Sequence, residues 1–360
     1  MSVDSGRPAA TGTGSNPFAV SGLPSTRLPS WAIWAVGALA VVVVVVAWLA
    51  RLSPLVAVAA GAVVFVVVQW AVSRVVEGPR KATDRLVRTA VVFAFALAAL
   101  PLVSVLWTVV QNGAARFDAA LWTQTMRGVV GAGGGALHAI MGTLLITAAA
   151  AVVSVPIGIL TAIYLVEYGG GRLSRAITVL VDVMTGIPSI VAGLFAYALF
   201  SLFLGPGVRL GIGGAIALSV LMVPIVVRST EEMLRLVPGS LREASLALGV
   251  PKWRTIVSIV IPTAAGGIGA GIVVAIARII GETAPLLVIA GTTAVLNLNL
   301  FQGRMQTLPV FTYYSYTQPG FPPEASINRA WAAALVLMVI VMLINLLARL
   351  IARRLSPRAR

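Results

Sequence analysis

Residues 228–256 read RSTEEMLRLVPGSLREASLALGVPKWRTI. The stretch is polar and helix-prone, yet long apolar runs flank it, 211–227 before it and 256–290 after it. Runs of about 20 apolar residues match the hydrocarbon thickness of a bilayer. A polar hinge between two of them is a loop at a membrane face, and the chain is therefore read as an all-α polytopic membrane protein. Residues 241–248 have room for two helical turns, with Ser240 as N-cap and Gly249 as terminator. Pro251 prevents continuation, and 252–255 starts a second short helix. Such a helix–Gly–Pro–helix elbow is a knob on which a soluble partner can dock.

Composition agrees with this choice. Of 360 residues, 59% are hydrophobic and 10% charged, against roughly 25% charged in soluble domains. An ordinary soluble enzyme and a disordered chain are both excluded. There is no cysteine, which removes disulfides, thiol nucleophiles and thiolate metal sites. With His138 as the single histidine, histidine-based clusters are excluded too. The net charge of +15 comes almost wholly from arginine. In a membrane chain that excess fits cytoplasmic loops against anionic lipid, and no nucleic-acid partner is expected.

Working outward from the elbow gives eight spans: 31–50, 55–72, 89–110, 136–166, 176–204, 211–227, one within 256–290, and 330–348. The fifth carries Asp182 and the seventh Arg278 and Glu282. With both termini in the cytoplasm, 19 of the 26 Lys and Arg residues fall in inside segments and 6 in outside loops, as the positive-inside rule requires. The expected organisation is a disordered tail (1–30), an extra transmembrane hairpin (31–72), a basic linker (73–88), a permease domain (89–348) containing the elbow (228–255), and a basic tail (349–360). The hairpin is read as lipid-facing, or as a contact for another membrane subunit.

No G-x-x-x-x-G-K-[ST] string occurs, so any ATP driving this chain is bound by another polypeptide. Residues 275–286 read AIARIIGETAPL. If this is one helix, Arg278 and Glu282 share a face. A charge in mid-membrane costs at least about 2.5–3.5 kcal/mol, so it marks a pathway or a partner. The planar guanidinium of Arg278 suits a tetrahedral oxyanion. Glu282 can neutralise it when the site is empty. An ion pair that only fixes packing fits the same spacing.

The elbow carries a resemblance. Glu243-Ala244-Ser245, with Gly249 six residues after the glutamate and Ile261-Pro262 beyond, resembles the EAA loop of bacterial ABC importer permeases. That family has a second alanine where this chain has Ser245. The string Ala277–Leu286 is similar to the corresponding helix of PstA-type phosphate permeases, as are 186–195 (GIPSIVAGLF), 247–256 and Leu308-Pro309-Val310 with Tyr313, Tyr314 and Tyr316. The resemblance covers roughly 89–348. It implies a six-helix type I permease core in the bacterial plasma membrane, to which the N-terminal hairpin is an addition. It implies an ATP-driven phosphate importer whose pathway includes Arg278, Glu282 and Thr283. Coupling to the ATPase would use Glu243, Ala244, Gly249, Pro251, Lys252 and Trp253. Implied partners are a PstC-like permease, a PstB-like ATPase dimer holding ATP and Mg, and a PstS-like phosphate-binding protein. The chain itself would bind no cofactor or metal and catalyse nothing. A permease for phosphonate, molybdate or sulfate would share the EAA loop and an anion-binding arginine. A phosphate-sensing membrane protein would account for the extra hairpin.

Three further expectations concern single positions. Asp182 should face the interface or pair with a nearby arginine such as Arg175. His138 should be an interfacial polar residue. Gly266, Gly267, Gly269 and Gly271 should allow close helix approach.

Overall fold

The computed structural model describes residues 28–355. The chain divides into two compact units, one up to Ser104 and one from Val105 onward. The expected disordered tail and the last five residues of the basic tail lie outside the described residues, apart from Leu28–Ser30.

The first unit holds α1 (Ser30–Leu49), α2 (Pro54–Val76) and most of α3 (Pro79–Ala114). Arg51, at φ 61°, turns the chain between α1 and α2, and the Ser53 hydroxyl accepts the Val56 N–H at 3.4 Å. The segment 73–88, expected as a linker, is helical except at Glu77 and Gly78, because α2 runs to Val76 and α3 starts at Pro79. Proline has no N–H to lose at a first helical position, which explains that start. Buried Gln69 of α2 accepts a hydrogen bond from Thr89 of α3 at 3.2 Å. Glu77 accepts from Arg85 at 2.7 and 2.9 Å, from the Leu28 N–H at 2.8 Å and from Ser73 at 3.0 Å. Burial works to raise its pKa, but these donors outweigh it and hold the carboxyl at about 2.

The second unit contains α4 (Ala119–Thr123), α5 (Leu137–Ile163), α6 (Arg172–Thr185), α7 (Ser189–Leu204), α8 (Gly211–Arg235), α9 (Gly239–Ala247), α10 (Lys252–Thr255), α11 (Ile261–Ile279), α12 (Ala284–Ile289), α13 (Leu308–Thr317) and α14 (Pro323–Leu355). Single π-helical turns extend α5 to Tyr168 and join α10 to α11. Helix α8 is central: its Leu218, Met222 and Val226 share one core with Ile146 of α5, Ala275 and Ile279 of α11, and Leu286 of α12.

Among the described residues, seven helices are long and apolar enough to cross a membrane, or eight if the bent pair α6–α7 is one span. That pair occupies the expected fifth span, which is broken at a proline. Its two helices are bent by 107° at Gly186-Ile187-Pro188. Pro188 cannot donate into a helix and disfavours helical geometry in the residue before it. With Arg172, Arg175 and Asp182, α6 is amphipathic, whereas α7 is apolar.

Candidate functional site: a broken helix and a cytoplasmic elbow

Helix α11 ends at Ile279, and the Glu282 N–H bonds back to the Ile279 carbonyl at 3.1 Å. Glu282 therefore lies in a break, and Thr283 occupies the N-cap position of α12. This corrects the expectation that Arg278 and Glu282 share one helix face. The sequence contributes to the break: Pro285 lacks an N–H and crowds the carbonyl four residues earlier, at Gly281, which weakens a continuous helix there. Among the described residues no ion pair joins Arg278 to Glu282, and Arg278 has no side-chain hydrogen bond. Its neighbours Ile279 and Ile280 are buried, whereas Arg278 is exposed on the surface of the chain.

The depth of Arg278 follows from packing register. A Cβ on Gly267 would meet Met233 Cγ at 2.7 Å, and one on Gly271 would meet Ser229 Oγ at 2.6 Å. Steps of four in opposite directions mean that α11 and α8 are antiparallel. Continuing the register sets Arg278 level with Met222, halfway along α8. The expected close approach thus holds at these two glycines, while Gly269 faces open space. A guanidinium at that depth with no partner among the described residues calls for an aqueous path or a partner chain beside it.

A cleft of about 530 Å³ opens at the break. Gly281, Thr283 and Leu287 line one side, and Pro309, Thr312 and Tyr313 of α13 the other. Helix α13 lies between the seventh and eighth expected spans, where no helix is expected from the sequence. Its depth is set where the buried Thr143 hydroxyl of α5 accepts the Leu308 N–H at 2.7 Å. The Thr312 hydroxyl has no hydrogen-bond partner. His138 also departs from expectation: it is 1% exposed and packs edge-on against Phe311 at 5.5 Å between ring centroids.

The cytoplasmic elbow forms as the sequence suggested, with one change. Gly249, at φ +78°, stops α9 and Pro251 precedes α10. Ser240, however, is not the cap: α9 starts two residues earlier than expected, at Gly239 after Pro238, and its N-cap residue makes no side-chain hydrogen bond. Glu243, Ala244, Gly249, Pro251, Lys252 and Trp253 are all exposed, Trp253 by 62%. Ser245 is buried and its hydroxyl pairs with that of Thr255 at 2.8 Å, tying the two arms of the elbow together.

Arg242 points the other way. It donates to Glu167 at 2.9 and 3.0 Å, and to the carbonyls of Leu234 at 2.8 Å and Val237 at 2.6 Å. It thereby joins the elbow to the cytoplasmic ends of α5 and α8, and Lys252 adds a bond to the Glu167 carbonyl. Asp182 pairs with Arg228, not with Arg175. Arg228 also holds Glu231 at 2.9 Å, and Glu231 holds Arg235 at 2.5 Å. No signal in the sequence distinguishes Arg242 from the other cytoplasmic arginines.

Residues 154–360 match the family described as "Binding-protein-dependent transport system inner membrane component". The chain is 50% identical over 250 residues to the "Phosphate transport system permease protein PstA 1" of Mycobacterium tuberculosis, covering 69% of this chain and 81% of that protein. It is 40% identical over 248 residues to the PstA protein of Yersinia pestis, covering 67% of this chain and 80% of the relative. In fold, it is similar to a chain of a bacterial alginate ABC transporter crystallised with an alginate-bound periplasmic protein. That likeness has a TM-score of 0.56 at 14% identity and covers 77% of this chain and 98% of the other. The alternation of membrane helices around an exposed cytoplasmic elbow, and these relationships, place the chain among the binding-protein-dependent ABC transport permeases of the inner membrane, in the PstA family of phosphate transport permeases.

Proposed function

We propose that this chain forms half of the translocation pathway of an ATP-driven inorganic phosphate importer, with Arg278 as the anion-binding residue of that pathway. The observation that carries the proposal is the Arg278 guanidinium, level with the middle of α8 and next to the helix break, with no hydrogen-bond or ion-pair partner among the described residues. Two parallel donors of one guanidinium match two oxygens of a tetrahedral anion. Thr283 would offer a neutral hydroxyl at the same break, and Glu282 would accept from a protonated phosphate oxygen or neutralise Arg278 between transits.

The elbow is the site that would engage the ATPase. Glu243, Ala244, Gly249, Pro251, Lys252 and Trp253 form its outward side. ATP and Mg would sit on a PstB-like ATPase dimer, with a PstC-like permease as the other half of the pathway and a PstS-like protein delivering phosphate outside. Closure of the ATPase would push the elbow and rock α5, α8 and α11, opening the pathway outward. Phosphate released there would move to Arg278, and hydrolysis would reset the inward state.

The test is uptake of labelled phosphate at low concentration by cells lacking this protein, complemented with the native chain or Arg278→Gln. Restoration by the native chain alone, with equal amounts of both in the membrane, is expected. Equal restoration by both would reduce Arg278 to a packing residue. No restoration by the native chain, with its partners present, would point to another oxyanion.

A further inference from the structure

The outer loops bring together two arginines that the reading above does not use. Arg209 precedes α8, and Arg304 precedes α13. A Cβ on Gly291 would stand 2.9 Å from Cδ of Arg209 and 3.4 Å from Cδ of Arg304, so the two stems run side by side over that residue. Gly291 has φ +75°, a conformation that glycine adopts without strain. The stems thus cross where the backbone carries no side chain.

Their carriers are fixed by backbone hydrogen bonds. The Leu210 N–H bonds to the Ile289 carbonyl at 3.0 Å, Ile212 to Leu300 at 2.8 Å, and Met305 to Ala290 at 3.1 Å. The Asn297 amide adds bonds to the carbonyls of Gln302 at 2.7 Å and Arg304 at 3.0 Å. Like charges brought close repel, and the usual remedy is a carboxylate. Neither 205–210 nor 291–306 contains an acidic residue, and among the described residues neither arginine forms an ion pair.

The segment bearing Arg304, which begins at Gly291 under the two stems, also walls a hollow of about 380 Å³ through Thr292, Thr293 and Gln306, with Ser315 and Gln318 of the following helix and turn opposite. Its polar groups are hydroxyls and amides, which bind an oxyanion without the hold of a full charge. A transit site needs that balance, firm enough to admit the ion and weak enough to release it.

We infer that Arg209, Arg304 and the hydroxyl-lined hollow beside them form a second, outer oxyanion site, which receives phosphate before it moves on to Arg278. The inference rests on the phosphate-permease reading and extends it to the entrance. The paired guanidiniums relieve their mutual repulsion by sharing one tetrahedral anion. The anion then trades charged partners for neutral ones as it moves inward.

The experiment uses the complete transporter in proteoliposomes with its binding protein. It compares the native chain with the double variants Arg209→Gln/Arg304→Gln and Arg209→Lys/Arg304→Lys. The glutamine pair is expected to lower phosphate uptake about tenfold, and the lysine pair to keep most of it, since charge sets local anion concentration. Added salt should slow the native chain more than the glutamine variant. Stimulation of ATP hydrolysis by the loaded binding protein should be equal in all three, which also shows that the variants fold. Native uptake by the glutamine variant would overturn the inference. Loss of stimulation together with uptake would also overturn it, by making the pair a docking point for the binding protein. Inorganic phosphate should protect both arginines of the native complex from phenylglyoxal better than chloride at equal ionic strength. Equal labelling in the two would refute the site. Protection alongside absent phosphate uptake by the native chain would instead count against the permease reading alone.

Discussion

Two sets of three arginines in the second unit differ in their partners, although the division is not simply by face, since Arg116 in an outer loop pairs with Asp118. At the cytoplasmic end, Arg228, Arg235 and Arg242 are each tied to a carboxylate on Asp182, Glu231 or Glu167. At mid-depth and at the outer loops, Arg278, Arg209 and Arg304 have no such partner among the described residues. The residue type is the same, so the difference lies in the surroundings. Where an internal carboxylate neutralises the guanidinium, it serves as a strut between helices. Where none does, the charge remains available for an anion from outside the chain.

The most severe way to break this contrast is to remove an unpaired charge. Arg278→Gln should lower phosphate uptake about 100-fold, the kinetic equivalent of losing about 2.7 kcal/mol of charged interaction. Unfolding of the variant in detergent should match the native chain, since no internal bond is lost. A large fall in stability would show that Arg278 is a strut after all.

Removing a paired charge should do the opposite. Arg242→Gln leaves Glu167, 6% exposed, without its cation and is expected to destabilise the chain by about 2 kcal/mol. Phosphate transport should fall about tenfold while the ATPase still binds, because the elbow would no longer move with α5 and α8. The exchange Arg242→Glu with Glu167→Arg should recover part of the coupling between ATP hydrolysis and uptake. No recovery would mean that the Leu234 and Val237 carbonyls, not the ion pair, hold the elbow.

Packing around the break sharpens the comparison further. A Cβ on Gly193 would stand 2.5 Å from Pro285 Cα, so Gly193→Ala should displace α12 and cost about 1–3 kcal/mol in thermal unfolding. Gly269→Ala, facing open space, should stay within about 0.5 kcal/mol of native. Ser245→Ala loses the hydroxyl pair with Thr255, about 1 kcal/mol, with a correspondingly small loss of coupling.

The smallest effect concerns pH. Glu77 is held at about 2, below its ordinary value of 4.5. Its stabilising contribution is therefore complete above that ordinary value, declines as pH falls below it, and is gone once pH has fallen through about 2. The stability difference between native and Glu77→Gln should be constant from pH 8 to 5. A difference that changes in that range would mean that the Arg85 pairing is not what holds the first unit's turn.

Much of this was legible beforehand. The apolar runs, the arginine bias toward one face and the elbow at residues 239–255 are properties of contiguous sequence. So is the resemblance at Glu243–Gly249 and Ala277–Leu286. The break at Gly281 was partly legible: Pro285 stands four residues beyond it, but the i,i+4 spacing of Arg278 and Glu282 suggested a continuous helix. The bend at Gly186–Pro188 was partly legible, because Pro188 can kink a helix, but a run apolar enough on average to be one span does not show how sharp the bend is. Helix α13 was hidden because ten residues with three tyrosines look like an outer loop.

The sequence by itself determined the class of molecule, the separation of this chain from the ATPase, and the residue types that an anion pathway needs. Hydropathy, helix breakers and short motifs are local, and each can be read within a window of a few turns. Only the tertiary structure decided which charges are neutralised. It paired Asp182 with Arg228 across 46 residues and Arg242 with Glu167 across 75, and it brought Arg209 beside Arg304 over Gly291. Those meetings depend on the register of helices and loops far apart in the chain, which packing fixes and no local pattern records.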